Sequence, residues 1–353
     1  MRFFLIIPFL AASLLAEKPK LPLPAGVPFG ASLSPKEEQP VFAVASKQGA
    51  RVLVSRDDGV TWKQTLLGTD NPEDGGWHGQ YAVYGMAQSD GVIGVFSGWG
   101  PTGYYLGSDN GTDWVHLTPK DEEAVSLWDA AAGKGVMITS ADQWRGIQIA
   151  EKPFQKWRKQ PLKDLLDGGK THHIICGFGD FEGGRFIAIG DNRHVFYSED
   201  LGKNWLHSHI PEPAPDKGQN TIAFGNGVFM CDYEAQVARS VDGGKTWTLH
   251  SHGLNKSAAW RGLSFVRGEF WLTSRNGGGR KSKDGITWTD LPEATPAGRF
   301  VEDADTGTLI NVCRKRHSIM RSTDDANWKT VFEAPTKDVT WSFSFATQGN
   351  VRK

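Results

Sequence analysis

Arginine and tryptophan side chains recur in the polar segments that separate the short apolar runs of this chain. A guanidinium group binds a carboxylate or a sulfate through two parallel hydrogen bonds, and a tryptophan offers a flat apolar surface to a sugar ring. The combination predicts a site for an acidic or sulfated glycan, the alternative being arginines paired with neighbouring carboxylates and tryptophans used for packing. The side chains that we predict to bind the ligand are Arg145, Arg193, Arg261, Arg275, Arg299, Arg316, Trp77, Trp99, Trp144 and Trp260.

Three further residues of these segments could act as a base. Cleavage of a uronic acid by elimination, or by hydrolysis that a histidine assists, requires a base and a cation that neutralises the carboxylate of the ligand. The candidate bases are His173, His78 and Tyr81, with Arg261 or Arg299 as the cation. A histidine in such a place is alternatively a structural group, so binding without catalysis stays open.

Hydrolysis by a pair of carboxyl groups is the other chemistry that the sequence admits. The two groups lie about 5–5.5 Å apart in a retaining glycosidase and about 6.5–9.5 Å apart in an inverting one. Glu302 is the carboxyl that we predict to be catalytic. Each possible pair takes one carboxyl from the longest linker and one from another linker. The first set is Asp70, Glu73 and Asp74, and the second set is Glu302, Asp303 and Asp129.

A turn sequence of the form Ser-x-Asp-x-Gly-x-x-Trp repeats along the chain. Some copies are complete and others lack one residue, and every copy ends in a tryptophan. One further unit has decayed and is recognisable by its position. The closing tryptophans are Trp62, Trp114, Trp157, Trp205, Trp247, Trp288 and Trp328. Their spacing is 40 to 52 residues, and one four-stranded propeller blade takes about 40–50 residues. The repeat predicts an all-β propeller of seven blades.

The residue types of the motif are those of a tight turn. Serine and aspartate side chains accept hydrogen bonds from backbone N–H groups, and the glycine reaches a backbone conformation that strains other residues. We therefore predict a structural turn and not a calcium or ligand site. The motif resembles that of the Asp-box (BNR) repeat proteins from about Val41 to the C-terminus. That group includes sialidases, other propeller glycosidases and photosystem II assembly-factor-like propellers, so the resemblance implies the fold and leaves the function open.

The chain departs from the sialidases of that group in two respects. Sialidases carry a Phe-Arg-Ile-Pro segment before the first box, which residues 41–55 lack, and they have six units where this chain has seven. The resemblance therefore implies a sialidase-like glycosidase, either a hydrolase or a lyase, but not a true sialidase. None of the catalytic residues of that family is carried over.

Each unit is predicted to run from strand 1 to strand 3, through the repeated turn, and into strand 4. The first unit lacks an inner strand, and an alternating segment over residues 339–346 is left over at the other end. We predict that this C-terminal strand completes blade one and closes the ring. The repeated turns then lie on one face. The opposite face, which we call the linker face, carries the strand 4-to-1 linkers, the strand 2–3 loops and the candidate residues.

The chain begins with Met1, Arg2, an apolar run over residues 3–16 and a polar stretch, the pattern of a secretory signal. We predict a signal peptide over residues 1–16, an N-terminal extension over residues 17–40 and the propeller over residues 41–353, with a retained anchor as the alternative. The protein is then secreted or periplasmic. Its 39 basic and 40 acidic side chains argue against binding nucleic acid through bulk charge.

Metal and cofactor signals are weak. The pairs His207/His209 and His250/His252 have a spacing that metals accept, but neither a cysteine nor a carboxylate accompanies them, and we predict no metal and no cofactor. We expect a monomer, because a closed ring leaves no open sheet edge. The leading hypothesis is an exported propeller that binds an acidic or sulfated glycan and that could also cleave it. The alternative is a non-catalytic propeller that holds a protein partner on the same face.

Overall fold

Seven antiparallel sheets of four strands make up the computed structural model. It describes residues 37–74, 81–98, 104–117, 129–140, 146–166, 171–217, 219–233, 235–254, 262–274, 276–313 and 315–353. The predicted signal peptide and most of the predicted extension lie outside the described residues. The prediction of an all-β propeller with seven blades is confirmed. No helix in the described part of the chain has the length and apolarity that crossing a bilayer requires.

The strands are numbered in chain order and given from the channel outward. Blade one contains β28 (Phe343–Arg352), β1 (Glu38–Ser46), β2 (Val52–Ser55) and β3 (Lys63–Leu66). Blade two contains β4 (Val83–Ser89), β5 (Val92–Ser97), β6 (Tyr104–Ser108) and β7 (Val115–His116). Blade three contains β8 (Asp129–Gly133), β9 (Val136–Ser140), β10 (Ile147–Glu151) and β11 (Arg158–Gln160). Blade four contains β12 (Ile175–Gly179), β13 (Arg185–Ile189), β14 (His194–Ser198) and β15 (Leu206–His209).

The remaining blades follow the same order. Blade five contains β16 (Gln219–Gly225), β17 (Val228–Tyr233), β18 (Gln236–Ser240) and β19 (Thr248–Ser251). Blade six contains β20 (Leu263–Val266), β21 (Glu269–Thr273), β22 (Gly279–Ser282) and β23 (Thr289–Asp290). Blade seven contains β24 (Arg299–Asp303), β25 (Thr308–Val312), β26 (Ser318–Ser322) and β27 (Lys329–Glu333). Short 3-10 helices cover Leu162–Leu165, Asp191–Arg193 and Val339–Trp341.

The C-terminal strand β28 closes the ring, as predicted. It pairs antiparallel with β1 along its length, from Glu38 opposite Arg352 to Ser46 opposite Phe343. It also packs against the inner strands β24 and β4, so that it joins blade seven to blade two across the channel side of blade one. β1 begins at Glu38 and not at Val41, because the residues before Val41 extend the ladder with β28.

The repeated turn, which we call the box turn, uses its own side chains for its hydrogen bonds. In blade five the Ser240 hydroxyl donates to Asp242 at 2.8 Å and accepts from the Gly244 N–H at 2.8 Å. The other partners are the Thr246 N–H, which donates to Asp242 at 2.9 Å, and Trp247 Nε1, which donates to the Gly244 carbonyl at 3.0 Å. Burial raises the pKa of Asp242, but the hydrogen bonds outweigh burial and leave it below its usual value. The predicted hydrogen-bonded turn is confirmed.

Arginine side chains form hydrogen bonds between neighbouring blades at the box turns. At six blade interfaces within the described residues, an arginine of one blade donates to a backbone carbonyl of the next blade's box turn. The pairs are Arg56 with Asn110, Arg158 with Gly202, Arg185 with Gly243, Arg239 with Asp284, Arg267 with Thr323 and Arg321 with Asp58. Much of the arginine content of the chain is therefore structural and lies on the box-turn face.

Candidate functional site

The inner strands surround a cavity of about 280 Å³. All seven inner strands contribute to its lining. One lining residue from each strand, in chain order from β4 and ending with β28, is Met86, Asp129, Cys176, Thr221, Ser264, Arg299 and Phe345. Asp129 and Arg299 are the first residues of their strands. Because inner strands enter from the strand 4-to-1 linkers, these two side chains lie at the linker-face end of the channel. The predicted location of the site therefore contains a real concave space.

Asp129 is a carboxyl group enclosed by the surrounding blades and partly exposed to the cavity. Its Oδ2 accepts the Cys176 N–H at 3.1 Å, and its Oδ1 accepts the N–H of Ala130 at 2.9 Å. Burial raises the pKa of Asp129 to about 6, although the charges of Arg299 and Lys47 and these hydrogen bonds oppose the rise. The group therefore changes its charge in the physiological pH range.

Arg299 differs from the arginines at the box turns in the partners that it has. Its Nη2 lies 3.4 Å from the Thr221 hydroxyl, which belongs to blade five, so the side chain of this blade-seven residue reaches past blade six along the wall of the channel. Within the described residues it has no ion-pair partner, and Asp129 acts on it only through longer-range attraction. Among the described residues, the Thr221 hydroxyl is the one hydrogen-bond acceptor of this guanidinium, which carries five N–H donors. The structure places this predicted binding residue in the cavity.

His173 forms a dyad with Asp191, a residue that our sequence analysis did not identify. His173 Nδ1 lies 2.8 Å from Asp191 Oδ2, and the aspartate is buried whereas the histidine is exposed. A carboxylate at Nδ1 fixes the tautomer in which Nε2 accepts a proton, which is the arrangement of a general base. His173 is three residues from Cys176, which lines the cavity, so their Cα atoms are at most about 11 Å apart.

Arg193 and Arg316 lie on the linker face but do not line the cavity. Arg193 forms ion pairs with Asp216 and with Glu212, the latter at 3.3 Å. Both of its terminal nitrogens therefore bind carboxylates of the linker that follows blade four. Arg316 Nη1 lies 2.9 Å from Met320 Sδ. Neither residue is grouped with Arg299 in the structure.

Tyr81 and Glu302 are not among the residues that line the cavity. Tyr81 precedes β4 and packs against the apolar cluster of blades one and two. Glu302 requires a correction, because its Oε2 accepts the Arg267 N–H at 2.6 Å and its Oε1 pairs with Arg267 Nη1 at 3.3 Å. Arg267 lies in the turn between β20 and β21, on the box-turn face. The Glu302 carboxyl is therefore held away from the linker face.

The other predicted site residues, His78, Arg145, Arg261, Arg275, Trp77, Trp99, Trp144 and Trp260, lie outside the described residues. Among the described residues that line the cavity, Asp129 is the one carboxyl group. The described part of the site thus contains a cation, one titrating carboxyl and a neighbouring histidine–aspartate dyad. The described lining of the cavity does not contain a pair of carboxyl groups, because Asp191 of the dyad lies outside that lining.

Comparisons with known proteins agree on the fold. A family model described as the DUF6242 beta propeller domain matches residues 203–348, which is less than half of the chain. The search of curated proteins found no significant match. Among solved structures, the virginiamycin B lyase of Staphylococcus aureus superposes with a TM-score of 0.57 at 11% identity, covering 76% of this chain and 94% of that chain.

Two further solved structures have the same architecture. The periplasmic gluconolactonase of Pseudomonas aeruginosa gives a TM-score of 0.56 at 9% identity and covers 88% of this chain and 98% of that chain. A structure of YCF48 bound to a D1 peptide gives a TM-score of 0.52 at 12% identity and covers 87% of each chain. At such low identity the likeness shows a shared propeller fold and nothing about shared activity.

Proposed function

We propose that this propeller binds the carboxylate of an acidic ligand, a uronic-acid residue of a glycan, at the linker-face end of its channel. The observation that carries the proposal is Arg299, which lines the cavity and has a neutral hydroxyl as its hydrogen-bond partner among the described residues. Ligand pockets usually enclose about 300–1,000 Å³, so a cavity of about 280 Å³ suits a single sugar residue. The rest of a glycan would extend over the linker face.

Charge favours an anionic ligand over a neutral one. A guanidinium fork binds a carboxylate through two charge-assisted hydrogen bonds, which are stronger in a site enclosed by protein than in water. Lys47 adds positive charge, since it also acts on Asp129. Among the described residues of the cavity lining, the opposing charge is that of Asp129, which loses its charge near pH 6.

Turnover of the ligand would depend on His173. With Asp191 fixing its tautomer, His173 would act as the base of an elimination or of an assisted hydrolysis, and Arg299 would neutralise the carboxylate of the ligand. Hydrolysis by two carboxyl groups has weaker support, because Asp129 is the one carboxyl among the described residues of the cavity lining. We therefore propose binding as the primary function and His-assisted cleavage as its extension.

A protein partner is the second candidate. The structure of YCF48 with a D1 peptide shows that a propeller of this architecture can hold a peptide. The carboxylate of a peptide would meet the same Arg299 fork. We also retain as proposals the membership in the Asp-box repeat proteins, which the box turns support, and the export of the protein, which rests on residues 1–16.

Calorimetric titration with matched ligands tests the proposal. We expect galacturonate or glucuronate oligosaccharides to bind, and the corresponding neutral oligosaccharides to bind at least about tenfold more weakly, because a hydrogen bond to a charged group contributes about 1.5–3 kcal/mol. Equal binding of acidic and neutral sugars would contradict the proposal. Binding of acidic peptides without binding of any sugar would favour the second candidate. Ultraviolet absorbance of an unsaturated product reports elimination in the same samples.

The affinity for a uronate should rise as the pH falls through the pKa of Asp129. Above pH 6 the ionised Asp129 repels the ligand and attracts Arg299, whereas below pH 6 it is neutral while a uronate, with a pKa of about 3.5, stays charged. We expect binding to strengthen several-fold between about pH 7.5 and 5. Asp129→Asn should bind at pH 7.5 as tightly as the wild type binds at pH 5. An unchanged pH profile in this variant would show that another group titrates.

A further inference from the structure

Three histidines meet at the outer edge of blade four, away from the cavity lining. His207 and His209 are alternate residues of β15, so their side chains lie on the same face of that strand. His194 begins the neighbouring strand β14 and stands directly opposite His209 in the ladder. The sequence shows the His-x-His spacing, but the third histidine is 13 residues away from His207 and joins it only through the strand pairing.

The imidazole nitrogens of this cluster are close enough to share one ion. His194 Nδ1 lies 3.0 Å from His207 Nε2, and one ring nitrogen from each of the three histidines lies within 4.8 Å of the others. A tetrahedral zinc ion with Zn–N bonds of about 2.0–2.1 Å separates its nitrogen ligands by about 3.3–3.4 Å. One pair is therefore nearly at the ligand separation, and the third ring would move inward by about 1.4 Å through side-chain rotation.

The surroundings support the cluster as a built site. The ring of His207 packs on Phe196, with 5.3 Å between the ring centroids, and Phe196 is fully buried. The nearby Arg193 would oppose a cation, but its ion pairs with Asp216 and Glu212 offset its charge. His207 and His209 are exposed, so an ion could enter and keep a position open to solvent.

We propose that His194, His207 and His209 bind a divalent transition-metal ion of the Zn²⁺ type, with one coordination position left to water. Imidazole ligands suit zinc, copper, nickel and iron, whereas calcium and magnesium require oxygen ligands. Three protein ligands with an open position are characteristic of zinc sites that carry a reactive water. The inference is independent of the function proposed for the channel, because none of the three histidines lines the cavity.

Titration of the tag-free protein with Co²⁺, followed by its visible absorption, tests the site. We expect one Co²⁺ per chain, displacement of Co²⁺ by Zn²⁺, and a rise in melting temperature with Zn²⁺ that a chelator reverses. His207→Gln and His209→Asn should each weaken binding at least about tenfold, since loss of even an outer-shell partner costs about 10–100-fold. Both side chains are exposed, so circular dichroism should show the fold unchanged.

The matched control is His250→Gln in blade five. His250 belongs to a pair with the same spacing, but its companion His252 is buried and accepts the Leu254 N–H at Nδ1, 3.1 Å away. This variant should bind Co²⁺ as the wild type does. The proposal is overturned if the wild type binds no stoichiometric metal, or if His207→Gln and His209→Asn both bind it as tightly as the wild type.

Discussion

Deletion of residues 343–353 is expected to abolish cooperative folding of the whole propeller. These residues form β28, which pairs with β1 from Phe343 to Arg352 and buries Phe343 and Val351 completely. The loss exposes the inner edge of β1 and removes the contacts that β28 makes with β24 and β4. Because each blade is held by its neighbours, an open ring leaves two unprotected ends. We expect loss of the thermal unfolding transition and of the near-ultraviolet circular dichroism signal.

A circular permutant provides the control for this deletion. The Lys353 N–H donates to the Glu37 carbonyl at 2.8 Å, so the two ends of the described propeller are adjacent. A chain that begins with residues 343–353, continues through a short glycine linker into residue 37 and ends at residue 342 should fold with a melting temperature close to that of linear 37–353. Closure by β28 would be contradicted if the deleted chain unfolded cooperatively. It would also be contradicted if the permutant, which keeps β28, failed to fold as the deleted chain does.

Replacement of Arg299 by glutamine is expected to weaken uronate binding about 10- to 150-fold, the equivalent of about 1.5–3 kcal/mol for a hydrogen-bonded charge. The melting temperature should change little, because the described part of the structure gives the guanidinium one long hydrogen bond, to Thr221. Titration calorimetry measures the loss. Arg316→Gln is the matched control on the same face and outside the cavity lining, and it should bind a monomeric uronate, which fills the cavity alone, as the wild type does.

The fold could be predicted from the sequence because its signals are local. The tryptophan spacing fixes the number of blades, and the serine, aspartate and glycine of each box turn make hydrogen bonds within a few residues, as in Ser240 to Gly244. The leftover C-terminal strand was predictable for a related reason, because a ring that lacks one strand at its start can be completed by an extra strand at its end.

The site could be predicted only in part, because its contacts link distant residues. Glu302 is the fourth residue of the inner strand that Arg299 begins, and only the strand length and the turn at Arg267 show that its carboxyl faces the box turns. The dyad of His173 with Asp191 joins two loops of blade four, and no spacing rule predicts it. Arg299 was identified by residue type and position, whereas its contact with Thr221 depends on how blades five, six and seven pack around the channel.

The most direct test of the central claim compares a uronate oligosaccharide with its uncharged methyl ester on the wild type and on Arg299→Gln. The carboxylate is proposed to bind Arg299, so esterification should weaken binding to the wild type about 10- to 150-fold and leave binding to the variant nearly unchanged. The coupling free energy of this cycle should be about 1.5–3 kcal/mol. An equal effect of esterification on both proteins would contradict the account, because it would show that the carboxylate binds away from Arg299.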